Sequence, residues 1–332
     1  MTQIANYELE LERDKLANAN FVKLATSPRN EDRDKAAEIG TEVIKERIRE
    51  KAMPMSMFQW TTTTNDQLVP QLETEENMRY FDYEVDSPAS LSVGLYSNPF
   101  NYTFAGRRGV MKFYKIMTPR MHKDTNEMRT YSYDIRKLFA DNIVRDMAIT
   151  LNMNWLVANQ LCLGPLGSTA QWAHGPQWVE VQGGWGRETI PNLKAQMIRV
   201  QGDRGFEVKQ LLVSQITALE PAKMGREETG GDLAQNMLQE GVTESTWGGM
   251  QWYITLNTFQ VPTGTIWCFT DEQYYIRCSH LQETTMYIKS EYDMIEFVAM
   301  ANLGMLIVNN RNVIRTDLRG MRDTTWNGIQ VP

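Results

Sequence analysis

Three histidines (His122, His174, His280) and three cysteines (Cys162, Cys268, Cys278) are the side chains best suited to metal or nucleophile chemistry. No two histidines are close in sequence. Cys268 and Cys278 stand ten apart with His280 two beyond, wider than the CxxC or HExxH pairs with which one local segment grips a metal. Buried or half-buried thiols are the expected state. An odd cysteine count without a CxxC pair also argues against a disulfide framework and for a reducing compartment. No GxSxG elbow, Walker A lysine loop or GxGxxG follows an expected strand. Gly183-Gly184-Trp185-Gly186 is a loop without a phosphate-cradling context. The acidic pairs Glu75-Glu76 and Glu227-Glu228 lie in polar segments and read as solvated rather than as a general acid and base. The residues therefore offer no active site, metal site or cofactor site, and the chain is not expected to be an enzyme. Arg107 and Arg108 leave three readings open. On a hairpin stem they could pair with acids of a neighbouring subunit, approach nucleic acid, or stay solvated.

The elements that would position these residues look like parts of a building block. Lys123 to Leu163 contains no Pro or Gly. Met128, Tyr131, Ile135, Leu138 and Phe139 recur at helical spacing, and Ile143, Met147, Leu151 and Trp155 continue the face in steps of four. Asp124 and Glu127 have capping-box spacing, and Gly164-Pro165 is a stop signal. A helix of roughly 36 residues would be about 55 Å long, enough to cross most of a molecule. The stripe has no sustained a/d heptad with charged flanks, which favours a spine over a coiled coil.

Of 332 residues, 42% are hydrophobic and 23% charged, so two or so domains with a substantial core are expected. The net charge of −7 argues against a chain that holds nucleic acid by neutralising phosphates. No apolar run has transmembrane length, and MTQIANYELELERDKL carries no apolar signal core, so neither membrane insertion nor secretion is expected. Twenty methionines and nine tryptophans suit extensive protein–protein surfaces or a Met-rich core equally well.

Residues 1–52 read as two charged helical pieces broken near Ser27-Pro28. The second carries only a thin apolar stripe, Ala36, Ile39, Val43, Ile44 and Ile48, and is expected to pack on a neighbouring subunit. Residues from Met53 to Gly109 read as an extended hairpin with little core of its own. The run VMKFYKIMTP is a strand leading into the spine. Past a Gly/Trp-rich stretch over 164–191 comes an α+β region. It has a helix over Asn192–Val200, a strand over Val208–Ser214, a short helix over Leu233–Gln239, and strands in GMQWYITLNTF and IWCFT. The closing TTMYIKSEYDMIEFVAMANLGMLIVNNRNVIRTDL reads as two strands around Leu303-Gly304.

In this order, the parts resemble a tailed-bacteriophage major capsid protein of the Hong Kong 97 type. The stretches carrying the resemblance are FAGRRGVMKFYKIMTPRMHKDTNEMRTYSYDIRKLFADNIVRDM, TWGGMQWYITLNTFQVPTGTIWCFTDE and EFVAMANLGMLIVNNRNVIRTDL. The resemblance implies an α+β fold with an N-terminal arm (1–55), an extended loop (56–109), a peripheral domain (110–165 and 266–332, spine helix about 125–163) and an axial domain (166–265). It implies a homo-oligomer of hexamers and pentamers closing an icosahedral shell in the virion. That shell is assembled in the host cytoplasm around double-stranded DNA held without sequence-specific contacts. Scaffolding, portal and decoration proteins are among the family's partners. The chain has no long scaffolding segment before the arm, so a separate scaffolding protein exists or none is needed. A cellular nanocompartment shell around cargo enzymes is the alternative within the fold, and an enzyme with a degenerate site the alternative outside it. Ile39, Val43, Arg47, Tyr96, Phe100, Arg107 and Arg108 are the expected inter-subunit contacts. Some relatives join a loop lysine to a neighbour's asparagine, for which Lys112, Lys115, Asn309 and Asn310 are available.

Overall fold

The computed structural model describes residues 16–69, 77–83, 107–130, 135–168, 175–186, 188–202, 207–223, 246–247, 249–291 and 293–319. Its main helices are α1 (16–25), α2 (Asn30–Lys51), α3 (Met53–Met57), α4 (Thr125–Thr130), α5 (Ile135–Leu163) and α6 (Thr189–Gln201). The strands are β1 (Trp60–Thr62), β2 (Met78–Tyr83), β3 (Arg107–Met117), β4 (Met121–Asp124), β5 (Trp178–Val181) and β6 (Gln210–Ser214). They continue with β7 (Thr246–Trp247), β8 (Met250–Thr255), β9 (Thr265–Phe269), β10 (Ile276–Glu291), β11 (Met294–Ile307) and β12 (Val313–Leu318). Two six-stranded sheets result. The first runs β1-β10-β11-β3-β2, with β4 also on β11; the second runs β5-β12-β9-β6-β8-β7.

The long hairpin β10–β11 carries the first sheet. Strand alternation sends Ile295, Phe297, Ala299, Ala301 and Leu303 to one face, where they meet Phe139, Ile143, Met147 and Leu151 of α5. The Phe139 and Phe297 rings stack at 4.3 Å between centroids. Leu306 and Val308 are out of step with this row and do not join the core beneath it. Tyr287 also points away; Met286 and Ile288, beside it, face the helix. Leu138 departs from the expected helix face as well and is exposed. The side chain of Ile135 and residues 131–134, across which the spine was expected to run unbroken, lie outside the described residues.

Gly304 was read as a turn between two strands but sits inside β11, opposite Phe113 of β3. The hairpin turns instead between Glu291 and Met294. A Cβ on Gly304 would lie 2.8 Å from Met111 Sδ and 2.9 Å from Phe113 Cδ1, so glycine marks a close approach here.

The second sheet is covered on both faces. Leu211, Val213, Trp252, Ile266 and Cys268 pack toward α6, through Leu193, Met197 and Val200. Leu212, Trp267, Phe269 and Val313 pack toward the C-terminal half of α5, through Trp155, Leu156 and Leu163. That is why β9 reads TIWCF without polar alternation, every residue buried. Within 266–332, which the sequence groups with 110–165 as the peripheral domain, β9 and β12 belong to the second sheet while β10 and β11 belong to the first. The helix expected over Leu233–Gln239 lies outside the described residues.

The arm does not wait for a neighbour. Helix α2 buries Ala36, Gly40, Ile44 and Ile48, a strict i, i+4 row, against α5 and β10 of its own chain. Gly40 lets it approach so closely that a Cβ would meet Met286 Sδ at 2.5 Å, and Thr41 Oγ1 accepts the Met286 N–H at 2.9 Å. Counting large apolar residues misses this face, since two of its contacts are made by glycine and threonine.

Candidate functional site

The hairpin stem is β2 against β3, in antiparallel register from Met78↔Lys112 to Tyr83↔Arg107. Asp82 lies opposite Arg108, and the pair is bidentate: Nε donates to Oδ1 at 2.7 Å and Nη2 to Oδ2 at 3.2 Å. The guanidinium also sits 5.4 Å from the Tyr80 ring centroid. The Arg108 hydrogen bond holds the Asp82 carboxyl below the usual carboxylate range, and Asp82 in turn raises Arg108. Arg108 therefore closes its own hairpin while its side chain stays exposed. Tyr96, Phe100 and the side chain of Arg107 lie outside the described residues.

The arm candidates are likewise used within the chain. Val43 packs against the first core. Arg47 pairs with Asp141 of α5, which Lys51 also approaches at 3.6 Å. Lys45 contacts Glu283 of β10 at 2.6 Å. Ile39 alone of the arm set is exposed, between Glu38 and Glu42. Of the residues suited to crosslinking, Asn309 uses its side-chain oxygen to accept the Arg311 N–H at 3.1 Å.

Among the described residues the titratable groups do not assemble into a catalytic set. Burial raises the thiol pKa of Cys162, Cys268 and Cys278, so all three stay protonated. His280 is buried beneath Trp60, with ring centroids 4.7 Å apart. Desolvation pushes its pKa down to about 4; Glu283 opposes the shift, while Arg49 and Lys45 add to it. His122 is exposed, and His174 lies outside the described residues. Among the described residues no three His, Cys, Asp or Glu side chains could share a metal ion.

What the surface does offer is apolar. Phe259 is 86% exposed and Leu256 79%, in the loop after β8. That loop is held firmly. Asn257 Oδ1 accepts the N–H groups of Phe259 at 3.2 Å and Gln260 at 3.4 Å. The Gln260 amide donates to the Ile149 carbonyl at 3.2 Å and accepts from Asn152 Nδ2 at 3.3 Å. On the outer side of α5, Val157 is 51% and Leu161 79% exposed. The sequence reading missed these four residues. The signal was present: no Asp, Glu, Lys or Arg occurs from Met147 through Val179, or from Ser245 through Thr270.

No family model matches the sequence, and no curated protein matches it. Solved structures do match the fold. With its long β10–β11 hairpin, its β2–β3 stem and its doubly covered second sheet, the chain has the Hong Kong 97-type capsid fold, α+β as expected. In particular, the chain is similar to the capsid structure of the cyanophage P-SCSP1u, with TM-score 0.52 and 11% identity over 79% of this chain and 90% of that one. It is also similar to the capsid of an empty GTA particle, with TM-score 0.55 and 12% identity over 81% of this chain and 89% of that one.

Proposed function

We propose that this chain is the major capsid protein of a tailed phage, many copies of which close into hexamers and pentamers of an icosahedral shell around double-stranded DNA. What carries the reading is the extent of the fold match: roughly nine-tenths of two capsid chains is accounted for here. In this reading the first sheet with the N-terminal half of α5 takes the peripheral place, and the second sheet takes the axial place. The hairpin above the β2–β3 stem reaches a neighbouring subunit. The net charge of −7 keeps the wall from binding the packaged DNA tightly. Assembly belongs to the host cytoplasm, and the finished location is the virion.

The test is electron microscopy of the purified full chain, with extraction of nuclease-protected contents from particles made during infection. Closed shells containing double-stranded DNA are expected. Dispersed single chains at every concentration, or shells filled with protein cargo, would overturn the reading.

A further inference from the structure

Three elements meet at His280 of β10. Strand β1 runs beside it in parallel register with Thr62 opposite the histidine, and the Thr63 N–H donates to the His280 carbonyl at 2.7 Å. Trp60 lies over the imidazole and is itself fixed by its indole N–H, which donates to the Pro54 carbonyl at 3.0 Å. Helix α2 passes on the side of Glu283, where Lys45 and Arg49 stand 2.6 and 3.9 Å from that carboxylate. Leu303 is the residue opposite on β11. His280 is 8% exposed, and no described residue hydrogen-bonds to its buried Nδ1. A neutral ring leaves only an idle acceptor there. An imidazolium would bury an N–H with nothing to take it.

The ionisable groups facing the ring are Glu283 of β10 and Lys45 and Arg49 of α2, while β1 and β11 bring Trp60 and Leu303. With the ring neutral, one carboxylate serves two arm cations. With the ring charged, three cations share it. The Trp60 face attracts a cation, yet desolvation dominates; Glu283 opposes it, and Arg49 and Lys45 add to it, so the folded pKa falls from 6.5 to about 4. A state in which β1 and α2 have lifted and water reaches the ring binds the proton more readily. It therefore gains on the closed state as pH drops through that window. Glu272, which accepts the Gln59 N–H at 2.7 Å just before β1, works in the opposite direction, because burial raises its pKa. The strands of the second sheet carry no histidine.

We propose that His280 is an acid-sensitive latch: protonation of its ring frees β1 and the Lys45–Arg49 stretch of α2 from β10 while the second sheet stays closed. The device lies within one chain and does not depend on assembly.

The test is amide hydrogen exchange of the full chain from about pH 7 to about pH 4.5, corrected for the intrinsic chemical rate. The reporters are the Thr63 and Met286 amides, which close on the His280 carbonyl and on Thr41 Oγ1, together with the amides of 45–51. These should exchange roughly fifty-fold faster at the lower pH, while those of β9 and β12 change less than about threefold. In His280→Gln and His280→Leu the first set should change no more than the second. No rise in the unmodified chain, an equal rise in β9 and β12, or the same rise in both variants would overturn the proposal. The first two outcomes are read on the unmodified chain alone, so the test stands even where a variant does not fold.

Discussion

Phe139 lies flat on Phe297 and is 8% exposed, whereas Asp141, two residues on, is half-exposed and holds Arg47 and Lys51 of the arm. The two positions should respond very differently. Phe139→Ala removes a buried ring and should cost roughly 3–5 kcal/mol. Asp141→Ala should cost no more than about 1 kcal/mol, a loss that added salt reduces. Urea melts at low and high salt separate the two, and equal losses would mean that the helix face is wrongly assigned. His280 gives a prediction in pH. Its pKa drops from 6.5 to about 4 on folding, mainly through desolvation. Between those values the unfolded chain binds more protons than the folded one, so stability is complete above pH 6.5 and declines as pH falls toward 4. One group with that shift would contribute a loss of roughly 3 kcal/mol. Chemical denaturation across this window should show the slope, and His280→Gln should flatten it. An unchanged slope in the variant would place the effect elsewhere.

The elements show where the sequence was readable and where it was not. Helix α5 was legible because large apolar residues repeat in steps of four over many turns, and the β9 strand because a doubly covered strand is apolar throughout. Small residues at close contacts were misleading. Gly40 and Thr41 make the arm's contact with β10, so a helix that looked too thin to pack proved to be part of the core. Gly304 looked like a turn, yet it fills a gap under Met111 and Phe113. Parity also escaped the sequence, because an apolar run such as GMLIV does not say which residues face inward. Two substitutions check these corrections. Ile44→Ala, at a fully buried site of α2, should cost about 2–5 kcal/mol in the isolated monomer. A neutral result would return the arm to a neighbour's surface. Gly304→Ala should destabilise by about 1–3 kcal/mol through overpacking, despite alanine's better strand propensity, and calorimetry reads the sign directly.

At the scale of the molecule, α5 ties two sheets together: its first half lies in the core under β10–β11 and its second half in the core under β9 and β12. The β2–β3 stem ends in the opposed pair Tyr83↔Arg107, with the Asp82–Arg108 ion pair just inside. Residues 84–106 can be exchanged for a short turn with that rung and its ion pair left in place. Joining Tyr83 to Arg107 through Asn-Gly, the sequence that favours a two-residue type I′ turn, should therefore leave the monomer's melting temperature and circular dichroism unchanged. If the replaced segment, which contains Tyr96 and Phe100, reaches across to a neighbouring subunit, the shortened chain should stay soluble and fail to close shells under conditions where the full chain assembles. Normal shells from the shortened chain would remove the hairpin from the assembly contacts. A collapsed monomer would instead mean that the stem depends on its tip for stability, contrary to the register and ion pair that close it.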